Sequence, residues 1–297
     1  MPYNFLVRAN RAKEEMDRLL KEFVPLWQRQ WFAGFTDAEG CLGIYPSQSG
    51  KLHFSVGQRD INTLICLRNL LTSWHIALFQ IKEKPNLNKA AFSALTVPEL
   101  RTHVTETCMR LFTLLNGQLN HPEKISVLIS WGVYLKQEVK SSLITWPWLA
   151  GFFEGDGSIY LDHKSITIGI SQKNKELLQK IQNFLGFGCI HNIQNNCFSF
   201  KCHGKNVFTV LKNIFPYIQF KQTKDKILLI MKGGETINGI VRDKERHIEV
   251  ILYENLNIGG SPMGQSPKRQ DLVSARESDK GVFSNKDYDA LRTSVNS

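Results

Sequence analysis

Glu39 and Asp156 close two copies of one pattern, Trp31-Phe-Ala-Gly-Phe-Thr-Asp-Ala-Glu-Gly40 and Trp148-Leu-Ala-Gly-Phe-Phe-Glu-Gly-Asp-Gly157. Each copy runs aromatic, apolar, Ala-Gly, apolar, then acid-small-acid-Gly. A carboxylate at the carboxyl end of a helix meets the negative end of the helix dipole, an unfavourable placement by about 0.3–1 kcal/mol. Two such ends brought together would repel further. Divalent cations between them reverse that repulsion, and a donor set of oxygens alone points to Mg²⁺ or another hard divalent cation. Ala33-Gly34 and Ala150-Gly151 leave nearly bare helix faces through which two backbones can approach, although Gly inside a helix costs about 1 kcal/mol. Gly40 and Gly157 suit a left-handed cap that stops each helix. One copy alone reads more readily as a capped helix with solvated acids; two copies with matching flanks favour a shared site.

The flanks do match, in order. Behind the first copy come Cys41-Leu-Gly-Ile-Tyr45, Phe54-Ser-Val-Gly-Gln-Arg-Asp60 and the apolar run from Ile61 to Leu71. Behind the second come Ser158-Ile-Tyr-Leu161, Ile168-Gly-Ile-Ser-Gln-Lys-Asn174 and the run from Lys175 to Leu185. Both halves therefore read as helix, strand, a strand ending in Gln-basic-Asp/Asn, then a helix capped by Asp60 or Asn174. Phe92-Ser-Ala94 and Phe198-Ser-Phe200 mark later strands, and Lys124–Leu128 and Lys226–Ile230 mark closing helices. Residues 10–24 predict an amphipathic helix. The organisation expected is an N-terminal helical extension over 1–26, a first unit over 27–136, a linker over 137–146, a second unit over 147–254 and a flexible tail over 255–297. Pro147 suits the first turn of the second motif helix, and the tail is rich in Gly, Ser, Pro and scattered charge.

Composition narrows the class. The 297 residues carry a formal charge of +10, which favours a polyanionic partner. No apolar run approaches the roughly 18 residues of a membrane span. The six cysteines are scattered at apolar positions, as in a reducing compartment. Cys189, His191, Cys197, Cys202 and His203 match no usual zinc spacing, and Cys202 shares a strand face with Phe198 and Phe200.

Phe32-Ala-Gly-Phe-Thr-Asp-Ala-Glu-Gly40 and Leu149-Ala-Gly-Phe-Phe-Glu-Gly-Asp-Gly157 resemble the two signature motifs of single-chain LAGLIDADG homing endonucleases, over about residues 27–254. The resemblance implies an α+β fold of two pseudo-symmetric αββαββα-type units, with antiparallel, saddle-shaped sheets over DNA and a central two-helix interface. It implies that Glu39 and Asp156 are catalytic metal ligands, with the carbonyls of Ala38 and Gly155 as further ligands. Gln58 and Gln172 correspond to polar residues that position water, although each also reads as a strand end beside a helix cap. Lys221 corresponds to a supporting base. The first half departs from that pattern: Gln118-Leu-Asn-His-Pro122 offers no clear lysine, with His121 a weak substitute. Asp37 and Glu154 are read as structural or capping groups.

The implied reaction is metal-assisted hydrolysis of both strands of a long, partly degenerate DNA target, without a covalent intermediate. Strand alternation then selects DNA-facing residues. In the first half these are Tyr45, Ser47, Lys51 and His53, with Lys82, Lys84 and Lys89 from the following loop. In the second they are Tyr160, Asp162, Lys164, Thr167, Asn192, Ser199, Lys201 and His203. Ribbons of strands enter the major groove, where such side chains read base edges. Two other functions stay open: an RNA maturase that binds its host intron RNA, and a DNA-binding protein without cleavage. The resemblance also implies a monomer resident in a mitochondrion or chloroplast, with no membrane partner.

Overall fold

The computed structural model describes residues 15, 18–45, 51–76, 80–84, 97–162, 165–193 and 195–237. Both halves lie in one compact unit. After a helical turn over 18–23, Pro25 opens the first motif helix, α1 (Leu26–Glu39). There follow β1 (Gly40–Tyr45), β2 (Lys51–Gly57), α2 (Ile61–Ser73), β3 (Gln80–Lys84), β4 (Val97–Thr102), α3 (Thr105–Leu115) and α4 (Pro122–Leu135). The second half repeats the order: α5 (Trp146–Asp156), β5 (Gly157–Asp162), β6 (Ser165–Gln172), α6 (Lys175–Leu185), β7 (Cys189–Asn192), β8 (Phe198–His203), α7 (Lys205–Ile214), a 3₁₀ turn (Phe215–Tyr217) and α8 (Lys221–Ile237).

The two antiparallel sheets share one topology, β1-β2-β4-β3 and β5-β6-β8-β7. Register repeats too: Gly40 faces Val56 where Gly157 faces Ile170, and Ser55 faces Arg101 where Gly169 faces Lys201. Alternation sends Leu52, Phe54, Val56, Ile166, Ile168 and Ile170 into the core. The expected caps hold: Asp60 Oδ1 accepts from Asn62 N at 3.0 Å, and Asn174 Oδ1 from Leu177 N at 2.9 Å. Thr145 caps α5, with Pro147 in its first turn.

The motif helices are buried on every side from Trp31 to Asp37 and from Pro147 to Phe153, the pattern of helices at the centre of a core rather than on its surface. Their crossing is set by two glycines. A Cβ on Gly34 would overlap the carbonyl oxygen of Trp148, and a Cβ on Gly151 would overlap that of Trp31. Around this contact Trp31 stacks on Phe35 at 5.6 Å and Trp148 on Phe152 at 4.9 Å.

Two expectations change, at Gly40 and at Gly157. Gly40 and Gly157 are extended, with φ of −75° and −79°, rather than left-handed caps. Each is the first residue of a strand, so the sheet takes over where a cap would have turned the chain. Their smallness answers a different demand, since a Cβ would crowd Thr36 and Phe153 one turn back. The fourth strand is Val97–Thr102; Phe92–Ala94 lies outside the described residues, as do 46–50, 85–90 and everything after 237. Pro98 hid that strand, for it lacks the N–H of a ladder residue, yet its carbonyl accepts from Gln58 N at 3.1 Å. No helix among the described residues is long and apolar enough to cross a membrane.

Gly34→Ala drives a methyl into a peptide that cannot move aside, so it is expected to lower unfolding free energy by about 1–3 kcal/mol. Urea unfolding should show a lower midpoint at unchanged slope; an unshifted midpoint would mean that the helices are not held this close.

Candidate active site at the helix interface

The contact at Gly34 and Gly151 carries the helix ends to one place. Glu39 is the last residue of α1 and Asp156 the last of α5, both half-buried. The residues before them are small for a reason. A Cβ on Gly155 would overlap that of Ala38 and stand 2.9 Å from Glu39 Cγ, so the Glu39 side chain passes over the opposite helix end. Gln172, ending β6, donates its Nε2 to Asp156 Oδ2. Gln58, just past β2, lies against Glu39 and favours its charged form. The structure thus brings both expected acids and both glutamines together.

Both carboxyls are pushed up. Burial, and then the negative charge of Asp156, raise Glu39 to about 7, against the pull of Gln58 and Lys124. Burial raises Asp156 to about 6, against Lys124 and Gln172. Two desolvated, mutually repelling acids form a site that a cation would stabilise. Among the described residues, no three His, Cys, Asp or Glu side chains gather closely enough to hold a metal by themselves. Peptide carbonyls, water or substrate oxygens would complete the shell, a donor set that suits a hard divalent ion.

The first acid of each motif has a separate task. Asp37 Oδ2 accepts from Asn120 N at 2.6 Å and from Trp148 Nε1 of the opposite motif at 2.9 Å. Glu154 mirrors it, accepting from Trp31 Nε1 at 2.7 Å and from the amides of Gln219 and Phe220 at 2.9 and 2.7 Å. Each indole ties the helices together, and burial still raises both carboxyls to about 7.

Sequence reasoning passed over one buried lysine beside these acids. Lys124, in the first turn of α4, donates Nζ to the carbonyls of Thr36 at 2.7 Å, Asp37 at 2.6 Å and Ala38 at 3.3 Å. It satisfies the orphan carbonyls of α1 and sets a positive charge beside the acid pair. Burial lowers its pKa, while Asp37, Asp156 and Glu39 hold it up. The stretch Gln118–Pro122 holds no lysine, as expected from its residues, but Lys124 just beyond it lies beside the acid pair. His121 is only the residue before α4, with its pKa lowered by burial. Lys221 is exposed at the start of α8, at the register of Pro122 rather than of Lys124. The signal available in sequence was Pro122 itself, which marks a helix start and so places Lys124 one turn in.

The sheet faces opposite the core hold most of the remaining expected residues. Lys51 and His203 are exposed, as is His191, which was not among them; Tyr160 and Lys201 are half-buried, with Lys201 Nζ 5.7 Å from the Tyr160 ring centre. His53, Thr167 and Ser199 are buried rather than open. His53 Nδ1 lies 3.3 Å from His103 Nδ1, and Thr167 Oγ1 lies 2.7 Å from His203 Nδ1 in the matching place. Tyr45 and Asp162 end their strands opposite Lys51 and Ser165, Lys82 and Lys84 lie along β3, and Asn192 ends β7, exposed. Ser47, Lys89 and Lys164 lie outside the described residues. Arg101 was missed with its strand; it occupies in sheet one the register of Lys201 in sheet two. A hollow of about 430 Å³ beside it is lined by Cys41, Gly43, His53, Ser55, Gly57 and Glu99.

Paired motif helices between two such sheets are the architecture of the LAGLIDADG meganucleases. One of these, I-AabMI bound to uncleaved DNA, matches with a TM-score of 0.56 and 13% identity over 80% of this chain and 100% of that one. Another, I-SmaMI bound to uncleaved DNA target in the presence of calcium ions, matches with a TM-score of 0.50 and 15% identity over 77% and 99% of the two chains. Residues 147–214 match the family described as a LAGLIDADG-like domain. The intron-encoded DNA endonuclease ai2b of Dictyostelium discoideum is 25% identical over 170 residues, 54% of this chain and 59% of that protein. The matched part thus spans somewhat over half of that relative. The second half thus matches the family model, and the whole described fold is that of the meganucleases.

Asp37, Glu39, Glu154 and Asp156 all titrate higher folded than in an unfolded chain, where carboxyls titrate near 4. Between about pH 4 and 7 the folded chain holds protons that the unfolded chain has released, so these groups add stability as pH falls through that window. His121, with its lowered pKa, works the other way. In EDTA and without DNA, Glu154→Gln should lose part of the wild-type gain in melting temperature between about pH 7.5 and 5.5. Parallel curves for the two proteins would show Glu154 ionised throughout.

Proposed function

We propose that this chain is a site-specific, intron-encoded DNA endonuclease that hydrolyses one phosphodiester in each strand of a long target. The observation that carries the reading is the acid pair: Glu39 and Asp156 end two interlocked helices, half-buried, with raised pKa values and one glutamine each. Mg²⁺, or another hard divalent cation, would be held by Glu39 and Asp156 with the carbonyls of Ala38 and Gly155. When bound it would polarise the phosphate and acidify a water.

The chain's own residues do the rest. Gln58 and Gln172 hold the acids in place and leave amide groups beside them for orienting a water. Lys124 balances the charge of α1's last peptides. Arg101 and Lys201, at one register in the two sheets, with Lys51, Tyr160, His191 and His203, form the face that meets phosphates and base edges. The formal charge of +10 supports such a partner. Because one chain supplies both acids, a monomer suffices. An organellar host genome belongs to the same reading, supported by the intron-encoded relative.

The test is a plasmid carrying the fused exons that flank this reading frame. Wild type with Mg²⁺ is expected to give one linear product, EDTA to abolish it, and Glu39→Gln or Asp156→Asn to slow it by at least about 10²-fold. Tight, salt-sensitive binding of that plasmid without any cut would instead identify a DNA-binding protein. Preference for the intron RNA over this DNA would identify a maturase.

Cleavage should also follow proton release from the acids. Cation binding needs Glu39 and Asp156 ionised, so activity is expected to rise with pH through about 6 to 7. A rate that is flat from about pH 6 to 8 in single-turnover assays would separate these carboxyls from cation binding.

A further inference from the structure

Two glycines leave a hollow in the face of sheet one that turns away from the core. Leu52, Phe54, Val56 and Leu100 enter the core, so alternation sends His53, Ser55, Gly57, Glu99 and Arg101 to the other face. On that face Gly43 pairs with His53 and Gly57 with Glu99, and the space of about 430 Å³ opens among them. Packing does not force either glycine. A Cβ on Gly43 would meet His53 Cδ2 at 3.6 Å, and one on Gly57 would meet Val97 Cγ1 at 3.9 Å, both ordinary contacts. What these glycines leave is room.

Glu99 sets the chemistry of the hollow. It is only 7% exposed although it faces away from the core. Its Oε2 lies 3.8 Å from a terminal guanidinium nitrogen of Arg101, two residues along the same strand. One cation at that distance does not use up the lone pairs of two carboxylate oxygens. The neighbouring polar groups are turned to one another: Ser55 Oγ lies 3.2 Å from His53 Nε2, and His53 Nδ1 3.3 Å from His103 Nδ1. Sheet two is built otherwise. Tyr160 stands at the register of Gly43 and Ser199 at that of Glu99, so a ring and a hydroxyl replace the room and the acid.

Resting on the reading that this face meets DNA, we infer that Glu99 specifies a cytosine in the half-site under sheet one, its carboxylate accepting from the 4-amino group at the hollow. An acid on a face that meets phosphates repels them, and Arg101 offsets only part of that repulsion. The acid favours binding where a base edge brings it a donor. A carboxylate can only accept. In the major groove guanine shows two acceptors, thymine an acceptor and a methyl, and adenine an acceptor next to its amine. Cytosine alone shows a donor with no acceptor beside it on its own edge. The room left by Gly43 and Gly57 lets that edge approach an acid recessed among its neighbours.

The experiment uses the full chain and the fused-exon duplex, with each base pair of the target changed singly to the other three. Binding is read by fluorescence anisotropy in Ca²⁺ and cleavage by rate in Mg²⁺. Wild type is expected to favour cytosine by about tenfold at one pair whose preference depends on Glu99. Glu99→Gln, which sets an amide donor beside an acceptor, should abolish that preference and favour adenine at the same pair. Gly43→Tyr, which installs the residue of the matching position in sheet two, should fill the hollow and erase the preference there. Both variants should melt near wild type. An unchanged base profile in Glu99→Gln would overturn the inference, as would a change at a pair where wild type favours another base. An equal loss on every sequence would reduce Glu99 to a holder of Arg101 and overturn it too. Wild type that neither binds nor cuts any of these duplexes would overturn the DNA reading itself.

Discussion

The structure depends on the approach of two helix backbones at Gly34 and Gly151, where each glycine lies against the carbonyl of the opposite tryptophan. No other residue type leaves room there, so the two motifs must carry glycine in the same place. Once the helices cross at that point, the lengths of their last turns decide that Glu39 and Asp156 arrive together. The indoles displaced from the crossing reach past it to the first acid of the other motif. The interlock is thus reciprocal, each half completing a hydrogen-bond set that the other begins.

That geometry gathers four carboxylates into one interface, which would be untenable if all were left alone. Desolvating a carboxylate carries a penalty of several kcal/mol unless donors or countercharges replace the lost water. Asp37 and Glu154 receive indole and amide donors, fixed by elements on both sides. Lys124 supplies one buried positive charge near all of them. Glu39 and Asp156 are left with one glutamine each, and their pKa values remain high. The unmet demand is for positive charge at the helix ends, where a divalent cation and a phosphate would meet under the proposed function. The first acids are therefore what hold the frame, and the second acids are free to work because they do not.

Much of this was legible in the residues. The duplicated motif, the Ala-Gly faces, the glutamines at strand ends and the caps at Asp60 and Asn174 are local patterns whose residue types have few other uses. What escaped depends on register. Lys124 reaches the site only because α4 starts at Pro122, and counting instead from Lys221 points to the wrong turn of the helix. Arg101 escaped because Pro98 masks the strand that carries it. Gly40 and Gly157 were assigned the wrong backbone, since a glycine after a helix signals a left-handed stop equally well whether or not a strand begins at once. Here pairing of Gly40 with Val56, and of Gly157 with Ile170, holds both residues extended.

Joining two copies in one chain frees them to differ wherever the interlock does not forbid it. At the glycine crossing, the indole clamps and the acid pair, the halves remain nearly identical. On the sheet faces they have separated. Gly43 and Tyr160 follow their motif helices at the same strand position, so one face keeps the hollow lined by His53 and Glu99, while the other is filled by a ring under Lys201. Cross-strand partners have diverged in the same way, His53 with His103 against Thr167 with His203. Two surfaces that differ in relief and in donors cannot read a palindrome from both ends equally. Under the proposed function, the target half-sites must differ as the faces do, and the bound duplex then has one orientation. A fixed orientation also assigns each helix-end acid to one half of the target, so the asymmetry of reading originates in the duplicated chain.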